Sequence, residues 1–282
     1  MLIGFVCWNR LGLTAKNLEA LLKTEEDFDL YIIDNNSKDD TWEYLKNIKD
    51  SRIKEIKKLD NNRGLIYAMN YVLSKRKKGQ DFMNIDQDVE IVTKDWISNN
   101  KAMVREFPEI GILGNVRPTY FQEYPKVKNK IIERNNLKFI RTDFIMGCNM
   151  FFPGSIMDKI GYCNETGYGD SELNHRIKKL DKWVGYCADN IILSTQRIDC
   201  SNCLAKNVCR DSDNEICFSL YSDAYSHTNT ELAQIKHENR KKWKFTKDNI
   251  YCGSIHDKES QTKGYYNETD ANRIFNWFKK RD

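Results

Sequence analysis

Short apolar runs alternate with amphipathic stretches over the first two thirds of this chain. Leu2 to Trp8 is a nearly unbroken apolar run, the pattern of a strand covered on both faces. Thr14 can cap a helix whose Leu18, Leu21 and Leu22 share one side. Leu30 to Ile33 is a second strand, ending in Asp34-Asn35-Asn36-Ser37, and a helix follows with Trp42, Leu45 and Ile48 on one side. Ile53 to Leu59 reads as a third strand. Asn61-Asn62-Arg63-Gly64 then opens a helix with Leu65, Met69, Val72 and Leu73 in register. Phe82 to Ile85 is the next strand, Thr93 or Asp95 starts a helix through Trp96, Asn100, Val104 and Phe107, and Gly111 to Gly114 is strand again.

Residues 115 to 145 are less regular. Tyr120, Phe121 and Tyr124 with Pro118 and Pro125 suggest either a loop over a site or a surface excursion. Met146 to Phe152 and Trp183 to Cys187 are strand-like, and Ser155 to Gly161 is a short helix stopped by glycine. Asp170 or Ser171 can cap a helix that buries Leu173, Ile177 and Leu180. Thr269 to Lys280 is amphipathic through Ile274, Trp277 and Phe278, a face that can dock on the core or on another subunit.

Strands alternating with helices imply βαβ units and a mostly parallel sheet, hence an α/β fold. Right-handed crossovers then bring the strand ends at Trp8, Asp34 and Asp86 to one edge. Each end carries polar groups: Asn9 and Arg10, Asp34 to Asn36, and Asp86 with Asp88. Ligands of open α/β sheets bind at that carboxyl edge. Two carboxylates there are hard oxygen ligands suited to Mg²⁺ or Mn²⁺, and such an ion suits a diphosphate. An ordinary acidic turn would look the same in isolation.

The composition narrows the class. The 282 residues suffice for one large α/β domain or two smaller ones. A net charge of +4, from 45 basic and 41 acidic residues, argues against a dedicated nucleic-acid binder. No run approaches the roughly 18 apolar residues of a membrane span. The N-terminus reads as a strand rather than a signal peptide, so a cytoplasmic protein is expected, with its nine cysteines reduced.

Several of these pieces, in order, resemble glycosyltransferase family 2, enzymes with the GT-A fold. Cys7-Trp8-Asn9-Arg10 looks like that family's first strand end, and Asp34 to Thr41 is similar to its second-strand motif. Asn62-Arg63-Gly64 with Ala68 and Asn70 resembles its donor-binding helix start, and Asp86-Gln87-Asp88 takes the place of its metal-binding acids. Gly147 to Met150 resembles the strand near the acceptor. Gly169-Asp170-Ser171-Glu172-Leu173 through Arg176 resembles its Glu-Asp-x-Asp-Leu-x-x-Arg motif, with Gly169 and Glu172 as departures. The likeness covers residues 2 to 190 and, more loosely, the chain to about 245.

The resemblance implies an inverting, metal-dependent, hexosyltransferase-type enzyme. It would move a sugar from a nucleoside-diphosphate donor to a hydroxyl of a saccharide, protein or other acceptor. Asp34 would contact the nucleobase, and Asn9, Arg10, Asn36, Arg63, Gly64 and Asp86 would complete the nucleotide-sugar site. Asp86 and Asp88 would hold Mn²⁺ or Mg²⁺, and Asp170 would be the general base. GT-A enzymes often complete the metal shell with a late histidine. His227 is best placed for that role and His237 second, against the plainer reading of exposed tail histidines.

Cys200, Cys203, Cys209 and Cys217 lie within 18 residues in a polar stretch. Four thiolates at that spacing suit a structural Zn²⁺, while an iron–sulfur cluster, disulfides or free thiols fit the same spacing. The expected division is a GT-A core over 1 to 195, a cysteine-rich segment over 196 to 220, and a tail over 221 to 282. Within the tail, Lys236 to Lys244 reads chiefly as a solvated basic helix face. Two other functions share the pattern. A nucleotidyltransferase also uses paired acids at an α/β rim, but it favours a glycine- and lysine-rich first loop, and residues 9 to 16 hold one of each. A non-catalytic scaffold with a zinc-dependent interaction segment is the reading from another class.

Overall fold

The structure, a computed structural model, describes residues 1–116, 129–194, 231–242 and 244–279. His227 and the four clustered cysteines lie outside the described residues. The first strand, β1 (Leu2–Cys7), is buried along its whole length. Leu2 and Val6 face one core cluster, while Ile3, Phe5 and Cys7 face another. It pairs in parallel with β2 (Asp29–Asp34) and β4 (Phe82–Asp86), and β2 pairs in parallel with the edge strand β3 (Ile53–Lys58).

Beyond β4 the sheet continues through β9 (Asn149–Phe152), β6 (Ile110–Val116), β10 (Trp183–Ser194), β8 (Leu137–Thr142) and β7 (Asn129–Arg134). The short β5 (Val89–Ile91) pairs with β10 off this path. Only β9 and β8 run against the other strands of the main path, so the sheet is mostly parallel in direction.

Helices cover both faces of the sheet. On one side lie α1 (Leu11–Leu22) and α4 (Trp96–Glu106), which contribute Leu18, Leu21, Trp96, Ile97 and Met103 to the core. On the other lie α3 (Leu65–Leu73), α5 (Gly154–Ile160) and α6 (Asp170–Lys179). A short α2 (Thr41–Leu45) follows β2. Two later helices, α7 (Glu231–Lys242) and α8 (Glu268–Lys279), pack on each other through Leu232, Ile235, Ala271, Ile274 and Phe275, with Tyr67 of α3 against them. The amphipathic terminal helix therefore docks on the body of the same chain.

The segment between α7 and α8 ties the later half together. Cys252 bridges Gly161 on one side and Tyr265 on the other. The buried Arg176 donates to the carbonyls of Ile160 (2.7 Å) and Tyr162 (2.8 Å) and pairs with Glu172. Glu165, also buried, accepts from Asn70 (3.0 Å) and Ser254 (2.7 Å) and so joins α3 to the C-terminal segment.

Two expectations need correction. Thr14 does not cap α1: the helix begins at Leu11, whose N–H donates to Asp39 Oδ2 from the neighbouring loop (3.1 Å). Thr14 is buried and donates to Gln87 instead (3.1 Å). The span from 115 to 145 is not one irregular excursion, because residues 129–142 form the β7–β8 hairpin. Its turn, Asn135-Asn136, has φ of 46° and 63°, the left-handed pair that a tight hairpin turn demands. Residues 117–128, with the aromatic and proline positions, lie outside the described residues.

Candidate active site

Parallel register aligns the three strand ends: Cys7 is level with Asp34, and Val6 with Asp86. At the end of β1 the chain turns sharply through Asn9 and Arg10, both left-handed with φ of 53° and 59°. Asparagine tolerates that region; arginine enters it only where its surroundings hold it there. The Asn9 N–H donates to Ser37 Oγ (2.8 Å), and Asn9 Oδ1 accepts from the Lys38 N–H (2.8 Å). The first loop is thereby fastened to the second.

Asp34 is fully buried at the end of β2. One carboxylate oxygen accepts from the Ser37 N–H (2.9 Å) and hydroxyl. The other has no hydrogen-bond partner and lies 3.9 Å from the Lys58 ammonium. Burial raises the Asp34 carboxyl above its ordinary value, and Ser37 and Lys58 work against that rise. Asn36, left-handed at φ 67°, follows. Asn35 accepts from the Arg63 N–H (3.0 Å) and Asn62 from the Gly64 N–H (2.9 Å), so the entry to α3 rests on the end of β2.

The acids of β4 are presented by the residue between them. Gln87 is buried; its Oε1 accepts from the Trp8 N–H (2.9 Å), its Nε2 donates to the Trp8 carbonyl (3.2 Å), and its backbone carbonyl accepts from Asn17 (2.7 Å). This clamp fixes the turn that carries Asp86 and Asp88. Asp88 sits 3.9 Å from the Arg10 guanidinium. Asp86 is half-buried, and its inaccessible Oδ1 has no hydrogen-bond partner. Its carboxyl is pushed well above the ordinary range by burial first, then by the charges of Asp88 and Asp170. The charges of Asp88 and Asp170 thus both act on Asp86, with Arg10 as the opposing cation.

Asp170 is the first residue of α6, after Gly169 at φ 59°. Its Oδ1 accepts from the Ser171 N–H (2.6 Å) and its Oδ2 from the Gly147 N–H (3.1 Å). A β-carbon on Gly147 would lie 3.2 Å from the Asp170 Cβ, so the glycine allows this approach. Asn84, on β4 near Asp86, donates to the Gly147 carbonyl and accepts from the Met150 N–H (3.3 Å), linking the acid strand to the loop that holds Asp170. Burial raises the Asp170 carboxyl, and the hydrogen bonds and Lys236 oppose that rise.

Lys236 is a residue the sequence pattern missed. It is only 4% exposed, contrary to a solvated basic face, because Leu232, Ile235, Lys236 and Asn239 form the buried stripe of α7. Its ammonium lies 5.7 Å from the Tyr168 ring centre, and burial lowers its pKa to about 8 while Asp170 raises it. The helical spacing of those four positions was the available signal. His237, beside it, is exposed. Glu172 turns away from Asp170 and is spent on Arg176, so the departure at that motif position is structural.

The orphaned oxygen of Asp86 and the like charges of Asp88 and Asp170 acting on it fit a hard divalent cation, which would satisfy the one and offset the other. Among the described residues no set of three or more His, Cys, Asp or Glu side chains is grouped to hold a metal unaided. No helix among them is long and apolar enough to cross a membrane.

Asp86 and Asp88 thus stand at the carboxyl edge of the sheet, Asp34 is buried beside Lys58, and burial raises the carboxyl of Asp170. The family model for glycosyl transferase family 2 matches residues 3–160, more than half of the sequence. The chain belongs to that family. Its fold is similar to a mannosyltransferase from Pyrobaculum calidifontis, solved with GDP-Man and Mn²⁺, at 15% identity and a TM-score of 0.55 over 70% of this chain and 57% of that one. It is also similar to GalNAc-T7, solved with UDP, GalNAc and Mn²⁺ (11% identity, TM-score 0.54, 85% of this chain and 54% of that one). A third is S. aureus TarS 1-349 with UDP-GlcNAc (13% identity, TM-score 0.53, 84% of this chain and 70% of that one). This chain therefore spans little more than half the length of the first two. No curated protein matches it in sequence.

Proposed function

We propose that the chain is a metal-dependent, inverting glycosyltransferase that moves a sugar from a nucleoside-diphosphate donor to an acceptor hydroxyl. The observation that carries the reading is the grouping of Asp86, Asp88 and Asp170 at one edge, each acid held by a different device. The Mn²⁺ in the complexes of similar fold supports a divalent ion here.

In this reading the free oxygen of Asp34 takes a nucleobase N–H, with Asn9 and Asn36 shaping the loops beside it. Arg63, at the entry to α3, and Arg10 face the phosphates, and the absence of a side chain at Gly64 lets the backbone approach them. Asp88 and Asp86 hold Mn²⁺ or Mg²⁺, with His227 as a third ligand; when bound, the ion supplies charge stabilisation to the departing diphosphate. Asp170 accepts the acceptor hydroxyl proton as the oxygen attacks the anomeric carbon from the face opposite the leaving group. One displacement of that kind inverts the centre. The hydrogen bonds from Ser171 and Gly147, and after them the charge of Lys236, favour the ionised form of Asp170 against its desolvation. Cys200, Cys203, Cys209 and Cys217 would carry one structural Zn²⁺ per chain, a stoichiometry that elemental analysis of the purified protein reads directly.

The test is a thermal-shift panel of UDP, GDP, dTDP, CDP and ADP, each with and without Mn²⁺, on wild type and an Asp86→Ala, Asp88→Ala variant. One nucleotide should raise Tm only with Mn²⁺ and only in wild type. No response from any nucleotide would remove the donor site from the reading.

A further inference from the structure

A cavity of about 310 Å³ opens on the flank of the sheet, where edge strand β3, helix α3 and the segment around His256 meet. None of Asn9, Arg10, Asp86, Asp88 or Asp170 lines it. Its wall brings together Lys57, Lys58 and Arg63 against a single carboxylate, the exposed Asp60. The three cations are half-buried rather than free in water.

Their partners are mostly aromatic rings. The Lys57 ammonium lies 4.1 Å from the centre of the Tyr71 ring, and Lys75, just outside the cavity, lies 4.7 Å from the same ring. The Arg63 guanidinium lies 5.9 Å from the centre of the Tyr67 ring. Among the described residues, Lys57, Lys75 and Arg63 have no carboxylate within 4 Å. His256 does not add to the charge: its Nε2 donates to the Tyr67 carbonyl (3.0 Å), and burial with Lys57 and Lys75 nearby lowers its pKa to about 4. A ring contact weakly offsets a cation, and a group taken partly out of water without a counter-charge is costly. A cluster of such groups around an open volume is satisfied by an anion that enters it.

We propose that this cavity is an anion site for a phosphate-bearing small molecule, next to the donor site and able to fill without it. Lys58 is already shared with Asp34 (3.9 Å), which leaves Lys57 and Arg63, with Lys75 just outside, in excess over Asp60, a balance that suits a dianion better than a single carboxylate. Ammonium groups pair with phosphate oxygens as compact point charges, and Arg63 adds a planar fork. The Tyr67 and Tyr71 rings supply an apolar wall for the body that carries the phosphate. The site shares Arg63 with the proposed donor loop. Lys58 also donates to the Ser37 carbonyl (3.0 Å) behind Asp34, so the test has to separate the two sites.

Isothermal calorimetry on the full chain, with EDTA present so that no divalent ion assists at Asp86 and Asp88, would use inorganic phosphate and pyrophosphate as probes. The variants are Lys57→Gln with Lys75→Gln, and separately Asp34→Asn. Binding should be seen in wild type and in Asp34→Asn, and should weaken at least tenfold in the double glutamine variant. No heat in wild type, or equal binding in the double glutamine variant, overturns the proposal. So does a loss of Mn²⁺-dependent nucleotide binding in that variant equal to its loss of phosphate binding, because the cavity would then belong to the donor site. Circular dichroism of the glutamine variant, which changes an exposed and a half-buried side chain, confirms that the fold is retained. The phosphate arm needs no donor, metal or transfer, so it stands or fails independently of the glycosyltransferase reading.

Discussion

Phe278 of the terminal helix lies against the bare α-carbon of Gly64: a β-carbon there would come 2.5 Å from the ring Cε2. Gly64 has φ +82° and ψ 162°, backbone territory nearly closed to other residues, and it sets Arg63 at the start of α3. A helix from the end of the chain thus supports the loop assigned to the donor phosphates. Gly64→Ala should lower stability by about 1–3 kcal/mol from backbone strain alone. Phe278→Ala should leave the fold intact and raise the donor KM several-fold with little change in kcat. Denaturant unfolding and steady-state kinetics at varied donor concentration check the pair.

Asp170→Asn keeps the shape of the side chain and its place at the start of α6 but cannot take a proton. Transfer should fall by about 10²- to 10⁴-fold, the usual contribution of a positioned base. Nucleotide affinity measured by calorimetry should stay within a few-fold of wild type. Near-normal turnover would exclude Asp170 as the base.

Asp86 gives a pH signature in the metal-free protein. Its folded-state pKa is raised above the unfolded value, so the native state binds the extra proton more readily. Stability then falls as pH rises from about 3.8 through the raised value, and the penalty is fully present above it. Asp86→Asn in EDTA should therefore raise Tm at neutral pH, and the gain should vanish at the acid end, where wild-type Asp86 is protonated. Mn²⁺ should reverse the order, stabilising wild type alone. Differential scanning calorimetry between pH 4 and 8 reads all three.

Arg176 and Glu172 are both fully buried, and Arg176 also holds two backbone carbonyls within 3 Å. Breaking such a pair on one side strands a charge. Arg176→Met should cost about 3–5 kcal/mol, and Glu172→Gln should also destabilise, both by equilibrium urea unfolding. Neither should alter nucleotide preference.

The strands at the site were legible because β1, β2 and β4 are apolar runs that stop abruptly at Asn9, Asp34 and Asp86; parallel pairing then leaves those ends no other edge to occupy. The helix start at Asp170 was legible from its glycine-rich approach, although the cap position falls to Gly169 rather than to Asp170 or Ser171. Gln87 was not: an amide between two acids carries no sign that it will turn inward and clamp Trp8 and Thr14. Asp39 in place of Thr14 at the start of α1 was hidden because the acceptor comes from another loop. The hairpin over residues 129–142 had a readable signal in Asn135-Asn136, obscured by exposed strands whose alternation is broken by Lys and Arg. Lys236 was concealed by composition, since a run of basic residues looks wet whichever one faces the core.

The stitching of the C-terminal segment has a consequence for what membership in a family means here. The match to the family model ends at residue 160, short of the Asp170 motif that resembles the family's own. The proposed base Asp170, the lysine beside it, the salt bridge under α6 and the aromatic ring against Gly64 all come later in the chain. The matched portion carries Asp34, Asp86 and Asp88, and the remainder carries the proposed base and the contacts that hold it. In the proposed mechanism, a shuffled protein that received only the first portion would keep the matched signature and lack its base.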